Sequence, residues 1–150
     1  MGRVIVGVIV GFVVTVILIL AGFFASLFGL GLNFILEPDA YVATPTWSVL
    51  SLIIGLVCAT SGGIACALIA RKSIAIKILA AIWLVMGGIT AGTAIMSDRF
   101  DPGPRPPNEP ALAAAGKLSE PRWVTIANPI VGFAGVMIGG RIASRTRKSS

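Results

Sequence analysis

With 150 residues, 56% of them hydrophobic and only 12% charged, and a mean hydropathy of +0.96, the chain falls outside the range of soluble globular domains. Its formal charge of +6 does not mark a nucleic-acid binder, because acids and bases are segregated along the chain. Histidine is absent, which removes the commonest general base and metal ligand.

The pattern is that of an all-α, polytopic membrane protein forming one domain over residues 1–150, with helices expected at about 4–32, 46–70, 78–96 and 123–140. Each apolar segment approaches or exceeds the ~20 residues that cross ~30 Å of hydrocarbon as a helix, which pairs its own backbone groups. The strand alternation of a membrane barrel is missing.

The first span follows Arg3 directly and stays apolar to Leu36. That is too long for the core of a cleaved signal, so an uncleaved helix is expected. Val6 stands where a myristoylation signal needs Ser or Thr. The run also exceeds what the bilayer needs, which predicts a tilt, a kink, or a path along the interface near Gly29 and Gly31.

Residues 33–44 form a first outer loop. Thr44 before Pro45 reads as an N-cap with proline at the first helical position, so the second span starts there. Trp47 is expected at the headgroup boundary, and Arg71 with Lys72 stop the span. Cys58 and Cys66 lie eight residues apart on this helix, roughly 12 Å. A disulfide needs Cα atoms within about 7 Å, so the pair reads as two free, buried thiols.

A tight turn from Arg71 to Lys77 leads to the third span, and a long polar segment, 97–122, follows it. Its proline-rich start, DRFDPGPRPPNEP, favours an extended path, and ALAAAGKLSE a short surface helix. Asp98, Asp101 and Glu109 have the chemistry of a calcium or carboxylate site, but a solvated flexible loop is the expectation. The fourth span begins at Trp123, a second interface anchor. Pro129 inside it predicts a kink, and Asn128 an amide that bonds a freed backbone group or a neighbouring helix. A basic tail, 141–150, carries Arg141, Arg145, Arg147 and Lys148.

All six acids fall in the two outer loops, whereas Arg3, Arg71, Lys72, Lys77 and the tail bases lie at the other helix ends. This asymmetry places both termini in the cytoplasm of an inner or plasma membrane. Arg71, Lys72, Arg141, Arg145, Arg147 and Lys148 serve as topology anchors or as contacts to anionic lipid, at roughly 1 kcal/mol per base near the surface.

Laid over 121–149, residues 45–73 match Pro45 with Pro121, Trp47 with Trp123, Gly63 with Gly139 and Arg71 with Arg147. Two readings fit: parallel duplicated hairpins, or convergence under the shared rules for Trp and Arg placement.

No acid or base lies deep in a span, no CxxC pair occurs, and no cofactor-binding or metal-ligating pattern is present, so an enzyme is not expected. The informative feature is the small residues at steps of three and four. They are Gly7, Gly11 and Gly22 on the first span, and Gly55, Ala59, Gly62 and Gly63 on the second. Gly88 and Gly92 continue the pattern on the third span, and Gly135 and Gly139 on the fourth. Lipid gives no hydrophobic push between helices, so close approach at such faces drives association. Packing within one bundle is one use, and contact with a second copy or a membrane-protein partner is the other. The functional expectation is a small structural or accessory membrane protein, with an oligomeric channel or passive small-solute transporter as the alternative.

Overall fold

The structure is a computed structural model, and it describes residues 1–96, 104–106 and 108–146. The described residues form helices α1 (Gly2–Leu30), α2 (Leu32–Ile35), α3 (Pro45–Ala70), α4 (Ser73–Met96), α5 (Ala111–Gly116) and α6 (Arg122–Thr146). Four of them, α1, α3, α4 and α6, are long and apolar enough to cross a membrane.

Local chemistry sets the boundaries. With 29 residues, α1 is about 43 Å long, so it exceeds the ~30 Å of hydrocarbon. It breaks at Gly31, whose φ of 82° suits glycine, and the chain turns into the single turn of α2. The expected outer loop therefore starts with helix. The cap at Thr44 is present as read: the Trp47 N–H donates to Thr44 Oγ1 at 3.1 Å, and Pro45 occupies the first turn. The same hydroxyl donates to the Phe34 carbonyl at 2.6 Å, which fixes α2 against the start of α3.

Two expected boundaries are corrected. The third span starts at Ser73 rather than 78, because Arg71 in the left-handed region (φ 54°) reverses the chain at once and Ala75 is fully buried. Polar Ser73 and Lys77 hid that first turn, since both sit on its exposed side. The fourth helix runs on to Thr146, so Arg141 and Arg145 are helical rather than part of a tail. Gly140, packed on Ile76, and buried Ala143 hold that extension. Arg147 and Lys148 lie outside the described residues.

The four long helices form a bundle in which α3 packs on both α1 and α6, and α4 closes the ring between α6 and α1. Glycines make the close approaches. A methyl group added at Gly7 would lie 2.7 Å from Ala70 Cβ, and one at Gly11 would lie 2.7 Å from Cys66 Cβ. Gly62 lies against Thr15, and Gly22 against Ile54. Across α3 and α6, Gly135 meets Ala59, Gly63 meets Val136, and Gly139 meets Thr60. These contacts respect the 76-residue offset of the sequence match: Gly63 on Val136 maps onto Gly139 on Thr60, and Ala59 on Gly135 maps onto itself. The correspondence stops at this helix pair, because Gly11 faces α3 and Leu79 of α4, whereas Gly87 faces Pro129.

A second cluster caps the end of the bundle that carries the loops. Leu27, Ile35, Leu36, Tyr41, Ala43, Trp47, Ala114 and Ala115 are buried together there. Backbone bonds join the two connections: Ser119 N–H to Tyr41 O at 2.8 Å, Ala43 N–H to Ser119 O at 2.9 Å, and Arg105 N–H to Asp39 O at 2.8 Å. In its described part the long connection is thus a packed cap rather than a free solvated loop.

Candidate functional site

Between the four long helices, at the end that carries the loops, lies a cavity of about 320 Å³. It reaches from the cap to the middle of the bundle, where Thr15 of α1, Ala59 of α3, Trp83 of α4 and Gly132 of α6 form its floor. Gly55 belongs to this wall: nothing lies within 4 Å of where its Cβ would stand, so it widens the cavity instead of tightening a helix contact.

The wall is largely apolar, with a few polar groups. Thr15 donates its hydroxyl to Gly11 O at 2.9 Å, Ser51 to Ser48 O at 3.0 Å, and Thr90 to Gly87 O at 2.9 Å. Each hydroxyl proton is engaged within its own helix, so these oxygens face the cavity only as acceptors. Glu120 contributes the acid among the lining residues, from the connection just before α6. Asn128 Nδ2 donates to Glu120 Oε2 at 3.0 Å. The expectation that Asn128 repairs the backbone at Pro129 or bonds a neighbouring helix is therefore corrected. Its partner is an acid eight residues earlier, and Pro129 instead packs on Gly87, where an added methyl would lie 2.8 Å from the proline ring. Burial pushes the Glu120 carboxyl above its usual range, and the Asn128 hydrogen bond offsets only part of this.

Trp47 and Trp83 also line the cavity, and each has a buried indole N–H without a hydrogen-bond acceptor among the described residues. Trp47 is 3% exposed and packs edge-on against Phe23 at 6.0 Å. The expected headgroup anchor is in fact enclosed by protein, because the cap folds over the first turn of α3. Trp123, at 52% exposed, stands on the outside of the bundle.

Of the three acids considered for a cation site, Asp98 and Asp101 lie outside the described residues. Glu109 is engaged elsewhere: it pairs with Lys117 at 2.7 Å and accepts from the Tyr41 hydroxyl at 2.5 Å. Lys117 and then Tyr41 hold its carboxyl below the usual range by hydrogen bonding. Among the described residues, no three His, Cys, Asp or Glu side chains come together as a metal site. Cys58 and Cys66 are free and buried.

At the opposite end, Arg71, Lys72, Lys77 and Arg141 converge on a cleft of about 210 Å³ between α3, α4 and α6, together with Ser73 and Ser144. Arg71 and Lys72 also border a hollow that Arg3 lines. Arg145 lies one turn beyond Arg141 on α6, exposed. The basic face is thus drawn from α1, α4, α6 and the turn between α3 and α4.

Apart from Gly55 on the cavity wall, the small residues divide into two groups. Gly7, Gly11, Gly22, Ala59, Gly62, Gly63, Gly135 and Gly139 are used inside the bundle. Gly88 and Gly92 on α4 meet nothing within 4 Å. Two residues that shape the cavity carried no strong signal. Glu120 reads as one more loop acid, although its position just ahead of a helix with Asn128 two turns on points into the bundle mouth. Trp83 reads as an ordinary apolar residue in a span. The chain matches no family model, no curated protein and no solved structure at a significant level.

Proposed function

We propose that the chain is a small multi-pass membrane protein of structural or accessory type, without catalytic chemistry, that associates with a second copy of itself through the outer face of α4. The observation that supports this is the division of the small residues. Packing within the chain uses most of those on α1, α3 and α6, whereas a methyl group added at Gly88 or Gly92, one turn apart on α4, would meet nothing within 4 Å among the described residues. In this reading both termini face the cytoplasm of an inner or plasma membrane, and the cleft of Arg71, Lys72, Lys77 and Arg141 meets anionic headgroups. The paired contacts of α3 and α6 favour an internal duplication confined to those helices.

Cysteine crosslinking in lipid vesicles tests the interface. In a chain whose Cys58 and Cys66 are replaced by alanine, Gly88→Cys is expected to form a disulfide-linked dimer under mild oxidation. Met86→Cys, exposed on the opposite side of α4, is expected to stay monomeric. Equal crosslinking at both positions, or none at Gly88, overturns the assignment.

A second reading, passage or binding of a small solute, is favoured by the cavity between the helices. Gly62→Leu is a poor test of it, since Gly62 lies against Thr15 and the Gly11 carbonyl and the bundle itself would be broken. Gly55→Leu projects into open cavity and separates obstruction from misfolding.

A further inference from the structure

We propose that the cavity at the loop end is a binding site for a small apolar monocation, an alkyl- or arylammonium compound, held by the Glu120 carboxylate among the aromatic side chains of the wall. The inference is independent of self-association, because every group it uses belongs to one chain.

Size comes first: about 320 Å³ between four helices suits a single small organic molecule. The chemistry of the wall then selects its charge. Among the described residues, Glu120 is the charged group on the wall, and no Lys or Arg lines the cavity. Its hydrogen-bond partner is the neutral Asn128 amide, so within the cavity its charge has no countercharge. Thr15, Ser51 and Thr90 have their hydroxyl protons engaged and offer lone pairs. Phe23, Trp47 and Trp83 supply ring surface, which attracts a cation and, in a dry site, does so more strongly than in water.

Other ligand classes fit less well. An anion would meet an uncompensated carboxylate. A neutral hydrocarbon would fill the volume and leave the half-buried Glu120 carboxylate facing it without a countercharge. A small inorganic cation would give up its water shell for oxygen ligands, and this wall brings one carboxylate and scattered hydroxyls where such ions take six or more oxygens. A quaternary or tertiary ammonium group surrounded by carbon asks for one countercharge, which Glu120 supplies, and for ring surface, which Phe23, Trp47 and Trp83 supply.

The test uses the full chain in lipid nanodiscs and three probes of similar shape: benzyltrimethylammonium, its uncharged carbon isostere neopentylbenzene, and benzenesulfonate. Binding is followed by equilibrium dialysis and by the fluorescence of Trp47 and Trp83. Saturable binding of the cation at one site per chain is expected, at least tenfold tighter than either other probe. Glu120→Gln is expected to weaken the cation at least tenfold and leave neopentylbenzene within twofold. Gly55→Leu is expected to abolish binding with helix content and unfolding temperature unchanged, since its side chain enters open space. No saturable cation binding, equal binding of cation and isostere, or Glu120→Gln binding within twofold of the unaltered chain overturns the proposal. Should Glu120→Gln fail to fold, the comparison of the three probes on the unaltered chain, with Gly55→Leu, still decides it.

Discussion

Gly11 and Gly88 look alike in sequence, each a glycine in an apolar span, and alanine at the two positions should have opposite effects. At Gly11 an added methyl would stand 2.7 Å from Cys66 Cβ, 2.8 Å from the Gly62 carbonyl oxygen and 2.8 Å from Leu79 Cδ2. Ordinary carbon contacts start near 3.5 Å, so the methyl demands about 0.7 Å of movement from α3 and α4 together. Two of those contacts are backbone or Cβ atoms that cannot rotate away, which makes this overpacking of the kind that costs about 1–3 kcal/mol. Alanine returns up to about 1 kcal/mol in helix propensity. With that gain returned in full, the net for Gly11→Ala is a loss of up to about 2 kcal/mol, up to about a thirtyfold rise in the unfolded fraction. Gly88→Ala meets nothing within 4 Å, so only the propensity gain acts on the fold. Equilibrium unfolding of the reconstituted protein in mixed micelles, titrated with a denaturing detergent, measures both. Equal shifts at the two sites, or stabilisation at Gly11, would refute the packing described here.

Thr44→Ala should cost about 1–2 kcal/mol in the same assay, because it removes both the acceptor for the Trp47 N–H and the donor to the Phe34 carbonyl. The cap should also respond to acid. Hydrogen bonds from Lys117 and Tyr41 hold the Glu109 carboxyl below its unfolded value, so its contribution is present above that value and is lost as pH falls through the depressed one. Hydrogen-exchange protection factors at the Ser119 and Ala43 amides, relative to intrinsic rates at each pH, should fall across that acid window, and Glu109→Gln should flatten that fall. Glu120 carries the opposite sign. Its carboxyl is raised by burial, so protonation on lowering the pH through the raised value stabilises the fold, and Glu120→Gln should unfold at a higher temperature than the unaltered chain at neutral pH.

The four long helices were legible because hydropathy and chain length are local properties, and the cap at Thr44 because its chemistry lies within four residues. The start of α4 was not legible: whether Ser73 and Lys77 belong to a turn or to a helix is decided by Ala75, buried against other helices. Trp47 fails for a related reason. Membrane rules place tryptophan at the headgroups, but Ala114 and Ala115 of the second connection pack in the cluster that covers this one, and Trp123 is the exposed indole. The small-residue stripes showed which faces permit close approach without showing which are used. Gly62 and Gly88 satisfy the same pattern, and only the placement of α1 and α6 separates them. The cavity was the least legible feature, since its wall draws on four helices and a connection.

Self-association through α4 is tested most directly by the mass of the protein extracted straight into lipid nanodiscs without detergent exchange. A discrete homo-oligomer that Gly88→Leu converts to monomer is the expected result. A monomeric unaltered chain, or an oligomer indifferent to Gly88→Leu, would contradict it.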